Sequence, residues 1–331
     1  MHINIPIFLP ELACRHKCIF CNQSKISGTL DIPQPRDVAG IVNQHLATIK
    51  EGAEVEIAFF GGSFTGIDNE LQMSYLQEAY KFVLSGEVQG IRVSTRPDYI
   101  SDQILESLKQ YGVTAIELGA QSFDDEVLKK SARGHVAEQL VTASELIKGH
   151  GFELGLQMMI GLPFDTLEKA KATAHKIVKA GANTTRIYPA LVVDKTPMAT
   201  LFRNGNYAPL SLEEAIDWCA QIIPIFEQGG VNILRVGLHP SEEFDSGESL
   251  LGGPYHPSFK ELVLSKMWQQ RFESILPSEK GKLTILVASK QINWAVGFES
   301  SNKKWLKEKY GWIKISTSNS LTNNEFTFSY S

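Results

Sequence analysis

Cysteine is scarce in this chain: there are four in 331 residues, and three of them fall within positions 14–21. So few and so clustered, they do not suit the disulfide framework of a secreted scaffold and instead show ligand spacing in a reducing compartment. No apolar run approaches the roughly 20 residues that span a bilayer. The opening Met1-His2-Ile3-Asn4-Ile5-Pro6-Ile7-Phe8 is too short in apolar residues for a secretory signal and lacks a basic start. Low-complexity tracts are also missing. With 43% hydrophobic and 21% charged residues, the composition is globular throughout. A net charge of −5 supplies no global field to draw a bulk polyanion, although a local basic patch is compatible with it. These absences predict a soluble, cytoplasmic protein with no membrane partner.

What is present is a rhythm. Short apolar or β-branched runs at Ile5–Leu9, Glu56–Phe60, Ile91–Thr95, Ala115–Gly119, Leu154–Ile160 and Arg186–Leu191 are each followed by an amphipathic stretch. The helices expected are Val38–Ile49, Glu70–Val83, Ser101–Gln110, Glu138–Lys148, Leu167–Ala180 and Ser211–Glu227, with Ser101 as an N-cap. Strand and helix in alternation predict right-handed βα units on a parallel sheet, the α/β class. Six units are fewer than the eight that close a TIM barrel, so a partial (βα)6 TIM-like barrel is expected over residues 1–240. Beyond a Gly/Pro/Ser-rich linker the rhythm changes. A helix near Phe259–Phe272, strands Thr284–Ala288, Asn293–Gly297, Ile313–Ser316 and Glu325–Ser329, and a basic helix Asn302–Lys309 make residues 241–331 a linker and small α+β domain.

The strongest chemical signal is Cys14-Arg15-His16-Lys17-Cys18-Ile19-Phe20-Cys21, just after the first strand. Three thiolates so spaced can each take one corner of a [4Fe–4S] cube, leaving one iron without a protein ligand. A structural zinc site would use the same thiolates with His16 or Cys219 as fourth ligand. A simple electron-transfer cluster would want a fourth cysteine, and Cys219, mid-helix beside Trp218 and Ile222, reads as a buried thiol instead.

This Cys-x₃-Cys-x₂-Cys loop, with aromatic Phe20 before the last cysteine, resembles the hallmark of the radical S-adenosylmethionine superfamily. Further motifs stand at predicted strand ends: Phe59-Phe60-Gly61-Gly62-Ser63-Phe64-Thr65-Gly66, Ser94-Thr95-Arg96-Pro97-Asp98, Glu117-Leu118-Gly119-Ala120-Gln121-Ser122-Phe123 with Arg133-Gly134-His135, and Gln157-Met158-Met159-Ile160-Gly161-Leu162-Pro163. Within the superfamily the chain is similar to short bacterial relatives of the Elongator catalytic subunit and, more distantly, to oxygen-independent coproporphyrinogen oxidases. The resemblance implies that Cys14, Cys18 and Cys21 ligate a [4Fe–4S] cluster. Gly61, Gly62, Ser63, Thr95, Arg96, Gln121, Arg133, Gln157 and Ile160 would contact S-adenosylmethionine. It implies reductive cleavage of S-adenosylmethionine to a 5′-deoxyadenosyl radical, fed by a donor such as a flavodoxin or ferredoxin, with an RNA base (tRNA) as target. A small molecule or tetrapyrrole is the alternative substrate, and a non-catalytic iron–sulfur or zinc protein the alternative class.

The departures narrow this. Coproporphyrinogen oxidases carry a tyrosine where Phe8 stands, and Arg15 replaces a usual proline. No cysteines remain for a second cluster, which disfavours sulfur insertion. Tyr188, at the end of the sixth strand, is the candidate catalytic hydrogen donor. His239, Tyr255 and His256 sit in Gly/Pro loops where either a turn or a substrate contact fits, and His135 reads as surface. Lys303, Lys304, Lys307 and Lys309 with Trp305 and Tyr310 would suit phosphate contact and base stacking. A solvated lysine face over buried aromatics uses the same residues.

Overall fold

The computed structural model describes residues 2–10, 18–22, 32–50, 52–238, 247, 249–276 and 281–331. Its chain divides into two compact units, Met1–Ser211 with Ile222–Tyr255, and Leu212–Gln221 with His256–Ser331. The expected boundary at 240/241 falls outside the described residues.

The first unit is built on a curled, all-parallel sheet. Its strands are β1 (His2–Leu9), β2 (Glu54–Gly61), β3 (Gly90–Thr95), β4 (Val113–Gln121), β5 (Glu153–Ile160), β6 (Thr184–Pro189) and β8 (Asn232–Val236), hydrogen-bonded in that order. Six are the strands the sequence rhythm predicts. The seventh, β8, pairs with β6 from Thr184↔Asn232 to Ile187↔Val236, so the half-barrel carries one more strand than the six expected. The strands are connected by helices at Val38–Leu46, Asn69–Leu84, Asp102–Gln110, Ala137–Gly149 and Leu167–Lys179. Ser101 accepts from the Ile104 N–H as N-cap of the third of these.

Side chains alternate across each strand. Val55, Ile57 and Phe59 of β2 and Ile116 and Leu118 of β4 are buried apolar residues. On their face, Phe59 meets helical Tyr75 edge-on at 6.0 Å. The other face carries Glu56, Arg92, Glu117, Gln157, Arg186 and Tyr188, none of which an apolar core would accept unpaired. A two-stranded ribbon of β7 (Val192–Val193) and β9 (Leu250–Gly252) completes the unit.

The second unit is a three-stranded sheet in the order β11 (Gly311–Ser318), β10 (Gly281–Ala288), β12 (Phe326–Tyr330), with helices Phe259–Ile275, Ile292–Val296 and Ser301–Tyr310. Trp268, Phe272, Leu283, Ile285, Val287, Leu306 and Tyr310 form its core. The strand expected at Asn293–Gly297 is a helix. Five apolar-rich residues do not distinguish the two periods. The turn closes on Gly297 at φ 86°, and Asn302 Nδ2 donates to Trp294 O at 3.3 Å.

Candidate functional site

Cys14 lies outside the described residues. Cys18 is buried and Cys21 half-buried. The turn between them is closed by Cys21 N–H donating to Cys18 O at 3.1 Å. It is held on both sides, because Ile19 N–H donates to Ser131 O (3.2 Å) and Ile19 O accepts from Met198 N–H (2.9 Å). Phe20 packs into two apolar clusters, one with Val127 and Leu162, the other with Val192, Met198 and Phe202, and Ile19 joins the second. The residues between the cysteines thus anchor the loop.

The Gly61-Gly62 turn follows β2. Gly61 sits at φ 106°, and a Cβ there would come within 3.2 Å of the Leu9 backbone, so only glycine lets the turn lie against the end of β1. Gly62 N–H donates to Leu9 O at 3.0 Å. Ser63 is buried just beyond. At the end of β3, the Thr65 hydroxyl donates to Tyr99 O at 2.8 Å. Its proton being committed, Thr95 donates to Thr65 across 2.6 Å. Arg96, 2% exposed, donates twice to Asp98, at 2.8 and 3.0 Å. The helix that follows starts from Ser101, so this pair serves to fix the guanidinium and not to cap.

Between Gly119 and Gln121 the β4–β5 pairing slips, and Gln121 takes φ 66°, a conformation rare for a side chain of its size. Strain at a strand end re-aims a side chain and needs surrounding structure to hold it. Arg133 reaches the same place from the loop after the short helix Asp125–Lys130. Its Nη1 donates to Cys18 Sγ at 3.2 Å and its Nη2 to Gly119 O. His135 is buried, not surface. Burial and the neighbouring Arg133 and Arg96 push its imidazole down to about 3, so it is neutral at ordinary pH. Gln121 Oε1, Arg133 Nε, Arg96 Nη1, Ser94 Oγ and Tyr99 OH are all buried with no hydrogen-bond partner among the described residues. Each such atom costs about 1–3 kcal/mol. Their convergence at strand ends fits a site completed by a polar ligand.

Beneath them runs a ladder of charge. Arg92 pairs with Glu56 and Glu153, both at 2.9 Å, and lies 3.6 Å from Glu117. Arg186 donates to both oxygens of Glu117, at 2.8 and 3.0 Å, and Gln157 Nε2 donates to the same carboxylate at 2.9 Å. Burial alone would raise Glu117, but the Arg186 and Arg92 guanidiniums and Gln157 outweigh it and hold the carboxyl below its ordinary range. Gly155 leaves the room, since a Cβ there would fall 2.7 Å from Glu117 Cγ. At the upper end, Tyr188 stands beside Arg186 and Arg235. Its phenol is raised by burial against the pull of these cations, so it stays protonated. The sequence motifs include Glu117 but assign no role to it, to Arg92 or to Arg186. The available signal was a charged residue inside otherwise apolar strands, repeated on neighbouring strands.

Ile160 is buried, with its carbonyl accepting from Ala190 N–H at 2.9 Å. Gly161 N–H donates to Asp165 and Gly161 O accepts from Tyr207 OH at 2.6 Å. These groups form a braced turn after β5. His239 lies outside the described residues. Tyr255 packs on Leu191 and Val193, and His256 Nδ1 accepts from Ser258 N–H at 3.0 Å, so His256 serves a turn.

Residues 12–177 match the Radical SAM superfamily, and residues 182–269 match the Radical_SAM C-terminal domain. The chain is 28% identical over 247 residues to a tRNA uridine(34) acetyltransferase of Methanocaldococcus jannaschii, covering 63% of this chain and 46% of that protein. It is 28% identical over 222 residues to the heme chaperone HemW of Bacillus subtilis, covering 65% and 56%. Among solved structures, an N-terminally truncated Elp3 from Methanocaldococcus infernus superposes with a TM-score of 0.66 at 21% identity, covering 82% of this chain and 63% of that one. The chain spans about half the length of the curated relatives it matches. Among the described residues no helix is long and apolar enough to cross a membrane.

Proposed function

Because the chain belongs to the radical SAM superfamily of enzymes, we propose that it holds a [4Fe–4S] cluster through Cys14, Cys18 and Cys21 and cleaves S-adenosylmethionine reductively, with an RNA base as the target. The observation that carries the reading is the mouth of the half-barrel. There Arg133 donates to Cys18 Sγ while buried polar atoms of Gln121, Arg133 and Arg96 await a partner. These donors and acceptors fit the ligand: a guanidinium matches a carboxylate, and amide and hydroxyl groups match a ribose and an amino group. Cluster and S-adenosylmethionine together supply a 5′-deoxyadenosyl radical able to abstract hydrogen.

The chain's own residues orient and shield. Arg133 sets a positive charge against Cys18, and its buried Nε would donate to the methionine carboxylate. Gln121, re-aimed by its strained backbone, offers an amide oxygen. Ser63 and the Gly61-Gly62 turn receive the amino group, and Thr95 and Arg96 the ribose side. Gln157, held by Glu117, lines the floor, and Ile160 braces the adenine side through the turn after β5. Protonated Tyr188 stands at the end of β6 as a hydrogen donor for a substrate radical. The reducing electron would come from a donor such as a flavodoxin or ferredoxin.

Likeness to tRNA uridine(34) acetyltransferases supports the RNA target. A second reading, a tetrapyrrole ligand, is favoured by the likeness to HemW. The test is anaerobic reconstitution, dithionite reduction and quantification of 5′-deoxyadenosine, with and without tRNA, against the Cys14→Ala/Cys18→Ala/Cys21→Ala protein. Product from the native protein alone, increased by tRNA, is the expected result. An intact cluster whose EPR spectrum ignores S-adenosylmethionine would sink the enzyme reading, and heme binding without tRNA stimulation would favour the second.

A further inference from the structure

The basic helix Ser301–Tyr310 does not present its aromatics. Tyr310 is 2% exposed, and Trp305 is half-buried with Lys309 Nζ 5.4 Å from its ring. The most exposed described aromatic of this unit is Trp312, one residue into β11 and 49% exposed, whereas Phe328, 39% exposed, pairs with Ile285 on the face of the helical core. In the sheet, Leu283, Ile285 and Val287 of β10 face the helical core, so the alternate positions form a second, open face. Register fixes its members. Lys282 lies directly across from Trp312, and Lys314, two residues on and about 7 Å away along the strand, lies across from Thr284. Ser329 and Thr327 of β12 pair with Thr284 and Leu286. The face therefore reads as a tryptophan between two lysines, bordered by hydroxyls, with no carboxylate side chain among its strand positions Lys282, Thr284, Leu286, Trp312, Lys314, Thr327 and Ser329. Neither lysine has an ion-pair partner among the described residues.

Charge is distributed to match. Residues 256–331 hold 11 Lys and Arg against 6 Asp and Glu, net +5, whereas residues 1–255 hold 21 against 31, net −10. A positive surface with an open aromatic is the chemistry that takes single-stranded nucleic acid, by phosphate contact and base stacking.

We propose that the open face of the β11-β10-β12 sheet, centred on Trp312 with Lys282 and Lys314, is a docking surface for single-stranded RNA. It rests on the RNA reading above for the identity of the polyanion and extends that reading to a part of the chain beyond residue 269, where the family matches end. Trp312 stacks one base, the two lysines contact flanking phosphates, and Thr284 and Ser329 offer hydroxyls to the backbone.

The experiment uses the full-length reconstituted protein and a fluorescein-labelled oligouridine, with binding read by anisotropy at 50 and 200 mM salt. Stacking worth about 1–3 kcal/mol makes Trp312→Ala bind roughly 5- to 150-fold more weakly, with Trp312→Phe retaining part of the affinity. Lys282→Ala/Lys314→Ala should flatten the salt dependence by about 1.4 in log–log slope, at roughly 0.7 per phosphate contact. Lys303→Ala/Lys307→Ala, on the helix covering the other face, should do less to affinity than Trp312→Ala. Since Trp312 is exposed, an unchanged thermal melt controls for folding. Native-like binding by Trp312→Ala would overturn the surface, as would preference for anionic vesicles over RNA. Parallel 5′-deoxyadenosine assays separate the two claims. Stimulation by RNA that is indifferent to Trp312 overturns the surface alone. Trp312-dependent RNA binding that never stimulates keeps the surface and overturns the RNA target.

Discussion

Replacing Glu117 by methionine removes a carboxylate that is 1% exposed and leaves its partners where they are. Arg92 keeps Glu56 and Glu153, each at 2.9 Å, and so is only partly stranded. Arg186 loses both of its bonds to Glu117, its only carboxylate partner among the described residues. Breaking a buried pair from one side costs about 3–5 kcal/mol, because an uncompensated charge remains. The Arg186 side chain is 12% exposed, and that access to water places the expected loss at the lower end, about 3 kcal/mol. With a urea slope of roughly 2–3 kcal/mol/M, the midpoint of the first unit's transition falls by about 1–1.5 M. The informative companion is Glu117→Met/Arg186→Met. Removing both charges together leaves an apolar pair of similar bulk, so the double variant should be more stable than the sum of its singles implies, by more than about 1 kcal/mol. A Glu117→Met midpoint within 0.3 M of the native value, or strict additivity in the cycle, would refute the claim that this pair is coupled and desolvated.

Gly119→Ala puts a Cβ 2.6 Å from Arg133 Nη2 and 3.0 Å from Gln121 Nε2, both ends of flexible side chains. It should leave the urea midpoint nearly unchanged yet weaken S-adenosylmethionine binding by roughly 10- to 150-fold, the worth of a charge-assisted hydrogen bond; native affinity by calorimetry would count against the assigned site. Asp165 carries a carboxyl pushed up to about 7, by burial in the first place and despite accepting from Gly161 and Thr166 N–H. A carboxyl raised in the folded state takes up protons more readily than in the unfolded chain, so its contribution to stability declines as pH rises from about 4 to about 7. The stability of Asp165→Asn relative to the native protein should therefore improve across that window and level off above it; a flat difference would show that Asp165 is not shifted.

The strands of the half-barrel were legible because each pairs an apolar run with turn residues, and all six begin and end within three residues of their expected bounds. β8 was harder, since Asn232-Ile233-Leu234-Arg235-Val236 is short and half polar, as an edge strand can be. The open second-unit face was illegible for another reason. Trp312 and Lys282 are 30 residues apart in sequence, and only the parallel register Lys282↔Trp312 makes them neighbours. From its polar type alone His135 reads as surface, but it is 5% exposed. Its burial follows from the loop Arg133-Gly134-His135, in which Gly134 at φ 77° turns the chain back against Ala120.

The charge ladder shows why composition alone does not find such a site. Periodicity tells which face a residue occupies, not whom it meets there. Glu56, Arg92, Glu117 and Arg186 stand on strands β2, β3, β4 and β6, spread over more than a hundred residues, and they meet one another only once the strands are laid side by side. A closed eight-stranded barrel fills its interior with layers of branched aliphatic side chains. Here the equivalent face of an open sheet is polar: Glu56, Arg92, Glu117 and Arg186 oppose one another in alternating sign, and Arg235 lies beyond them across from Arg186 as a like charge. A one-residue slip of β4 would turn Glu117 toward the helices and leave Arg186 without its carboxylate while Arg92 kept only Glu56 and Glu153, so the ladder penalises wrong register. Glu117 also holds Gln157, one of the residues assigned to the ligand. The same carboxylate thus ties four strands, β3 to β6, and fixes where the floor of the site lies. Its loss should be felt as weaker S-adenosylmethionine binding under conditions where the protein is still folded.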